Sequence, residues 1–270
     1  MIKIKDLSQI DCFLLDMDGT IYLSNKLIEG VLSFLEKAEE KNKKIIFLTN
    51  NSSRSSSDYY EKLKKLNIPV KREQIINSGE VTANYIKEKM NKAKVYLLGT
   101  PSLHEEFEGF GLDIINQVSD DIDFLVLGFD TTVTYRKLWD AHKLILRGVP
   151  YLATNPDLVC PLEDGKSMPD CGSIINLLKT STGKEPLVIG KPNISMVEYA
   201  ATKTNTPMEK MAMVGDRIYT DMKMADNAGI SGILVLSGET KKQDIADNNS
   251  GDKKYYDLVV KNLGELKDLI

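Results

Sequence analysis

Residues 12–20 read CFLLDMDGT: an apolar run over 12–15 stops at Asp16 and gives way to Asp18 and Gly19. A short apolar run closed by a polar turn reads as a strand. Asp16 and Asp18 alternate about Met17, so one turn after that strand can present both carboxylates on one side. A carboxylate can act as a nucleophile toward phosphorus. A second carboxyl two residues on can protonate a leaving oxygen and then take a proton from an attacking water. Gly19 lets the backbone approach an anion closely, and the amides after it, starting at Thr20, can point at anionic oxygens. The alternative reading of DMDGT alone is an Asp-rich turn that caps the next element.

Outward from this stretch the same alternation repeats. Val31, Leu32, Leu35 and Ala38 recur at helix spacing, and 45–48 is a second strand that ends at Thr49. Ser57 can cap a helix carrying Tyr60, Leu63 and Leu66. Apolar runs at 95–98 and 124–127 are closed by glycines. Residues 211–214 run into Gly215 and Asp216, and a helix through Met222, Ala225 and Ala228 ends at Gly229. Residues 233–236 read as a further strand, and the polar stretch 244–254 reads as a surface loop. Strand and helix alternate throughout, which argues for parallel sheets flanked by helices. The clusters DMDGT, TNNS and GDRIYTD each begin where a strand run stops. In open α/β sheets ligands bind beyond the carboxyl ends of the strands, so three strands can aim these clusters into one crevice.

Each cluster has its own chemistry and its own plainer reading. Asp216 and Asp221 in GDRIYTD would crowd further carboxylates against Asp16. Two unit charges about 4 Å apart repel by several kcal/mol at an effective dielectric of about 20. A divalent cation resolves that repulsion, and magnesium takes one or two carboxylates, waters and a phosphate in its octahedral shell. Read alone, GDRIYTD is also a helix start with favourable acids. The Thr49 hydroxyl and the amides of Asn50 and Asn51 can donate to phosphate oxygens, or the same residues can cap a helix. Lys191, in IGKPN after the apolar 187–189, can pair with a phosphate and with Asp16, or lie on the surface.

Composition bounds the rest. The 270 residues are 42% hydrophobic and 27% charged, enough apolar material for a core without disulfides. A net charge of -4 argues against nucleic acid as a partner. The three cysteines lack metal-finger spacing. The sequence carries neither a secretory h-region nor an apolar run near the ~20 residues of a membrane span, so a cytoplasmic location is expected.

Together, Asp16, Asp18, Gly19 and Thr20, then Thr49, Lys191, and Gly215, Asp216 and Asp221 resemble the haloacid dehalogenase superfamily of phosphohydrolases. TNN, SGE at 78–80, LGT at 98–100, ATNPD at 153–157, TGKEP, GKP and GDRIYTD are similar to its NagD-like, p-nitrophenylphosphatase-like subclass, over nearly the whole chain. The resemblance implies an α/β fold: a three-layer, Rossmann-like parallel-sheet core over 1–79 and 185–270. An inserted α/β cap domain (a type 2 cap) would occupy 80–184. Only a short segment separates Asp16 from Thr49, so the long interval from Thr49 to Lys191 is where such a cap fits. It would exclude water during transfer.

By the same resemblance Asp16 is the nucleophile and Asp18 the general acid/base. Magnesium (Mg2+) is held by the Asp16 carboxylate, the Asp18 carbonyl and the Asp216 carboxylate. Gly19, Thr20, Thr49, Asn50, Asn51 and Lys191 hold the phosphoryl group, with Asp221 and Asn193 in support. Asp170, Cys171, Gly172 and Ser173 form the cap's substrate loop; the plainer reading is a helix start capped by Asp170 or Ser173. The expected partner is a small phosphorylated metabolite, with two copies of the chain pairing through the cap. The expected activity is magnesium-dependent hydrolysis of a phosphomonoester through an aspartyl-phosphate. A phosphomutase and a non-catalytic phosphate-binding protein are the alternatives.

Overall fold

The structure, a computed structural model, describes residues 7–162, 165–247 and 255–270. It opens with β1 (Cys12–Asp16), a small antiparallel pair β2 (Tyr22–Leu23) and β3 (Lys26–Leu27), then α1 (Val31–Glu40), β4 (Lys44–Thr49), α2 (Ser56–Lys65) and β5 (Ile75–Asn77). Next come α3 (Ser78–Lys89), β6 (Lys94–Leu98), α4 (Pro101–Gly109), β7 (Asp113–Ile114), β8 (Phe124–Leu127), α5 (Tyr135–Leu146) and β9 (Tyr151–Ala153). An antiparallel pair, β10 (Val159–Pro161) and β11 (Ser167–Pro169), precedes α6 (Cys171–Thr182) and β12 (Leu187–Val188). The chain ends with α7 (Ser195–Thr204), β13 (Met211–Gly215), α8 (Lys223–Ala228), β14 (Ser231–Val235), α9 (Lys242–Asp247), β15 (Leu258–Val260) and α10 (Leu263–Lys267).

The chain divides into two compact units, one of residues 1–49, 60–76 and 191–270, the other of 50–59 and 77–190. The first is built on a six-stranded sheet of order β15-β14-β13-β1-β4-β5. β1 runs parallel to both its neighbours, with Leu15 opposite Val214 on one side and Asp16 opposite Leu48 on the other. All five residues of β1 are buried, as a central strand of a parallel sheet requires. Crossovers in such sheets are right-handed. The step from β1 to β4 goes one way along the sheet and the step from β13 to β14 the other way. Their connecting helices, α1 and α8, therefore lie on opposite faces, which gives three layers.

α1 buries Val31, Phe34, Leu35 and Ala38, one face at i, i+3, i+4 and i+7. Leu32, expected on that face, is exposed instead, and the Phe34 ring meets Phe13 edge-on at 5.6 Å between centroids.

Three local expectations shift. Ser57 does not cap α2: Ser55 and Asp58 do so reciprocally, the Asp58 amide donating to the Ser55 hydroxyl at 3.2 Å and the Ser55 amide to Asp58 at 2.9 Å. β14 starts two residues before the expected strand. Residues 244–247 of the expected loop belong to α9, and its residues 248–254 lie outside the described residues. Gly229 does end α8, in the left-handed conformation at φ 68°.

The second unit has its own five-stranded sheet, of order β12-β9-β8-β6-β7, with every pairing parallel. Alternate residues of β6 and β8 point to opposite faces, the period-2 rule of a strand. Tyr96, Leu98, Leu125 and Leu127 join Leu144 of α5 and Ile175 of α6 in one core. Val95, Leu97, Phe124 and Val126 join Ile86 of α3 and Phe107 of α4 in another. This unit is thus also an α/β sandwich, and in sequence it is inserted into the first. No described helix is long and apolar enough to cross a membrane.

Candidate active site

β1, β13 and β4 are adjacent and parallel, so their carboxyl ends stop at one edge of the first unit's sheet. Asp16 ends β1, Thr49 ends β4, and Asp216 follows β13 directly; all three are buried. After Asp216 the chain makes a turn of π-helix over Ile218–Met222, a widened turn that brings Asp221 back toward the sheet. The Arg217 amide donates to Asp221 Oδ2 at 3.1 Å. Gly215 makes the return possible, because a Cβ there would collide with the Asp221 carboxylate.

Lys191 joins these groups. Its ammonium is buried and donates to Asp16 Oδ1 at 2.5 Å and to Asp221 Oδ1 at 2.6 Å. Asp16, Asp216 and Asp221 each offer an oxygen, and these atoms lie within 4.8 Å of one another. Burial holds the Asp16 carboxyl well above the usual carboxylate range; Lys191 opposes this, while Asp221 and Asp216 add to it. Burial, with the Asp221 charge beside it, pushes Asp216 up to about 6. For Lys191 burial favours the neutral amine, but Asp16 and Asp221 outweigh it and hold the ammonium above its ordinary range.

Three carboxylates against one ammonium leave an excess of negative charge at the strand ends. The donor set is all oxygen, which suits a hard divalent cation. Asp216 Oδ1 is buried without a hydrogen-bond partner among the described residues, while Oδ2 accepts from the Glu239 amide at 2.5 Å. Buried polar atoms are rarely left unpaired, so Oδ1 is an atom awaiting a ligand. Gly19 (φ 92°) and Gly238 both face this carboxylate, and a Cβ at either would overlap it. The residues present therefore fit a bound divalent cation.

The other predicted residues are placed as follows. Asp18 is exposed and its Oδ2 accepts from the Tyr22 hydroxyl at 3.3 Å. Thr20 is fully buried, and its hydroxyl oxygen has no partner among the described residues. Asn193 Oδ1 accepts from the amide and hydroxyl of Ser195 at 3.0 and 2.9 Å, where α7 begins.

Asn50, Asn51 and 170–173 belong to the second unit. There the Asn50 side-chain amide donates to Asp157 at 3.2 Å, and Asn51 Oδ1 accepts from the Ser53 amide and hydroxyl in a local turn. Asp170 caps α6, accepting from the Cys171 amide at 2.5 Å, as the plainer reading of this stretch has it. The Cys171 thiol is fully buried, donates to the Leu127 carbonyl at 3.4 Å, and is pushed up to about 12 by burial. Gly172 leaves room for the Pro156 and Asp157 carbonyls, and Ser173 donates to the Leu158 carbonyl at 2.6 Å.

One site element escaped the sequence reading: the loop 237–240 after β14. Ser237 Oγ donates to the Gly19 carbonyl at 2.7 Å, and the Thr240 amide donates to the Asp216 carbonyl at 3.3 Å. Its signal was available, since LSGET also begins where a strand run ends.

Comparison with known proteins bears on what such a site serves. Residues 13–113 match a family described as haloacid dehalogenase-like hydrolase, and 188–266 match one described as HAD-hydrolase-like. The crystal structure of a 4-nitrophenylphosphatase from Thermotoga maritima superposes with a TM-score of 0.90 at 45% identity, covering 97% of this chain and 98% of that one. A 5'-nucleotidase of Bacillus subtilis is 33% identical over 236 residues, 87% of this chain and 91% of the relative. An acid sugar phosphatase of Staphylococcus haemolyticus is 32% identical over 237 residues, 88% and 89% respectively.

Proposed function

The chain belongs to the haloacid dehalogenase-like hydrolase family, and from that premise we propose that it is a magnesium-dependent phosphatase acting on a small phosphomonoester through a phosphorylated Asp16. The observation that carries the proposal is the meeting of Asp16, Asp216 and Asp221 at the carboxyl ends of β1 and β13, with the Lys191 ammonium paired to Asp16 and Asp221. A nucleophilic carboxylate must be ionised and must meet a negatively charged phosphoryl group. Lys191 favours the ionised form of Asp16.

Asp16, Asp216 and the Asp18 carbonyl would hold Mg2+, which when bound neutralises charge on the phosphoryl oxygens. An Asp16 oxygen forms a bond to phosphorus as the bond to the leaving oxygen breaks. Asp18, exposed beside Tyr22, gives that oxygen its proton. A water then attacks the phosphorylated Asp16, surrenders its proton to Asp18, and releases inorganic phosphate with Asp16 restored. Thr49 and Lys191 hold the phosphoryl oxygens, and Asp221 holds Lys191 in place. The second unit is the cap that selects the substrate. The relatives act on nucleotides, sugar phosphates and 4-nitrophenyl phosphate by their names, which supports a small phosphomonoester without choosing among them.

The test is release of 4-nitrophenol and phosphate from p-nitrophenyl phosphate, with magnesium and with chelator. Steady release only with magnesium, lost in Asp16→Asn, is expected. Near-normal turnover in Asp16→Asn would refute the nucleophile. Transfer without release would favour a mutase, and binding without turnover a phosphate-binding protein.

A further inference from the structure

Asp216 has two oxygens, and the structure treats them differently. Oδ2 is held by the Glu239 amide at 2.5 Å, while Oδ1 is buried with no partner among the described residues. The selection is made by the loop 237–240, at three points. The Ser237 hydroxyl ties it to the Gly19 carbonyl, in the turn that carries Asp18; the Glu239 amide takes Oδ2; the Thr240 amide takes the Asp216 main-chain carbonyl at 3.3 Å. Outside the site, the loop is pinned to the segment that follows Asp216. Arg217 forms an ion pair with Glu239 at 3.0 Å, the Tyr219 hydroxyl donates to the same carboxylate at 3.1 Å, and the Lys241 ammonium donates to the Gly238 carbonyl.

Gly238 is what allows the close approach. A Cβ built there would fall inside the Asp216 carboxylate, far nearer than any two such atoms come, and Asp216 can rotate away only by giving up the Glu239 amide. A carboxylate with one oxygen fixed by an amide presents the other in a set direction, and preorganised ligands of this kind bind a cation without first losing rotamer freedom.

We infer that the loop 237–240 is a positioning element for the cation: it clasps Asp216 through Oδ2 so that Oδ1 alone faces the metal, with Gly238 as its indispensable member. This rests on the reading of Asp216 as a metal ligand given above. The contacts that tie the loop to the site run through Asp216 and through the turn at Gly19.

The experiment is calorimetric titration of metal-free protein with magnesium chloride alone, for the unaltered chain, Asp216→Ala, Gly238→Ala and Ser237→Ala. Gly238→Ala is expected to weaken magnesium binding at least tenfold, and Ser237→Ala several-fold. Turnover of p-nitrophenyl phosphate by both should return toward the unaltered kcat when magnesium is raised to saturation, a rescue that general loss of packing would not show. Magnesium affinity unchanged in Gly238→Ala, while Asp216→Ala loses it, would overturn the clasp and leave the metal assignment standing. Unchanged affinity in Asp216→Ala would overturn the assignment itself. Should Gly238→Ala not fold, Ser237→Ala decides: weakened binding with rescue supports the clasp, and unaltered binding refutes it.

Discussion

Replacing Lys191 with methionine keeps most of the side chain's volume and removes its charge. The ammonium sits 2.5 Å from Asp16 and 2.6 Å from Asp221, with all three side chains nearly out of solvent. At an effective dielectric of about 20 each such pair is worth about 6 kcal/mol of Coulomb attraction. Desolvating three charged groups offsets much of that, and breaking a buried pair by removing one partner typically costs about 3–5 kcal/mol. For a chain of this size that is a drop of roughly 6–20 °C in the melting temperature of the first unit.

The loss should depend on pH. Burial raises the folded-state pKa of Asp16 above its ordinary 3.8, so the cost of its charge is absent at low pH and grows as pH rises through the folded value. Without Lys191 that value rises further. Lys191→Met should therefore lie much closer to the unaltered protein at about pH 5 than at about pH 8 in thermal melts with chelator present. A gap below about 1 kcal/mol at pH 8, or an equal gap at both pH values, would refute the account of Lys191 as the counter-charge of this cluster.

Two further outcomes follow from the same geometry. Because Asp216 is pushed up to about 6 and Asp16 is raised as well, protons compete with the cation there: magnesium affinity measured by calorimetry should fall as pH drops through about 6, and a flat profile would count against it. The metal-free protein has the opposite trend, since a raised carboxyl pKa contributes stability below 3.8 that is lost as pH rises through 6. Among the cysteines, Cys12 and Cys171 are buried and pushed up to about 12, whereas Cys160 is partly exposed. Alkylation of the native protein followed by mass spectrometry should label Cys160 well before the others, and early labelling of Cys171 would mean that α6 opens.

What the sequence made legible here was the end of each central strand. The runs at 12–15, 45–48 and 211–214 are apolar because these strands are buried on both faces, and each polar cluster marks where the sheet stops. That logic found Asp16, Thr49 and Asp216, and the resemblance supplied Lys191. It missed the loop 237–240 because, Ser237 apart, that loop acts through backbone amides and one glycine, so its place after a strand run was a weaker signal than the acidic clusters gave. The α2 cap was off by two residues because Ser55, Ser56 and Ser57 look alike until Asp58 selects Ser55. Cys171 and Ser173 drew notice for their polar atoms, but those atoms serve the Leu127 and Leu158 carbonyls within the second unit. SGE at 78–80 showed its pattern and not its use: Glu80 accepts from the Ser56 hydroxyl in a buried network with Asn77 and Glu106.

The central claim is that Asp16 becomes covalently phosphorylated. An acyl phosphate is reduced by borohydride to an alcohol, so quenching steady-state turnover into borohydride and sequencing the peptides by mass spectrometry reads the acceptor directly. Homoserine at position 16, formed only when substrate and magnesium are both present, is the predicted result. Position 16 recovered wholly as aspartate while product forms at full rate, or reduction at Asp18 or Asp216 instead, would contradict it.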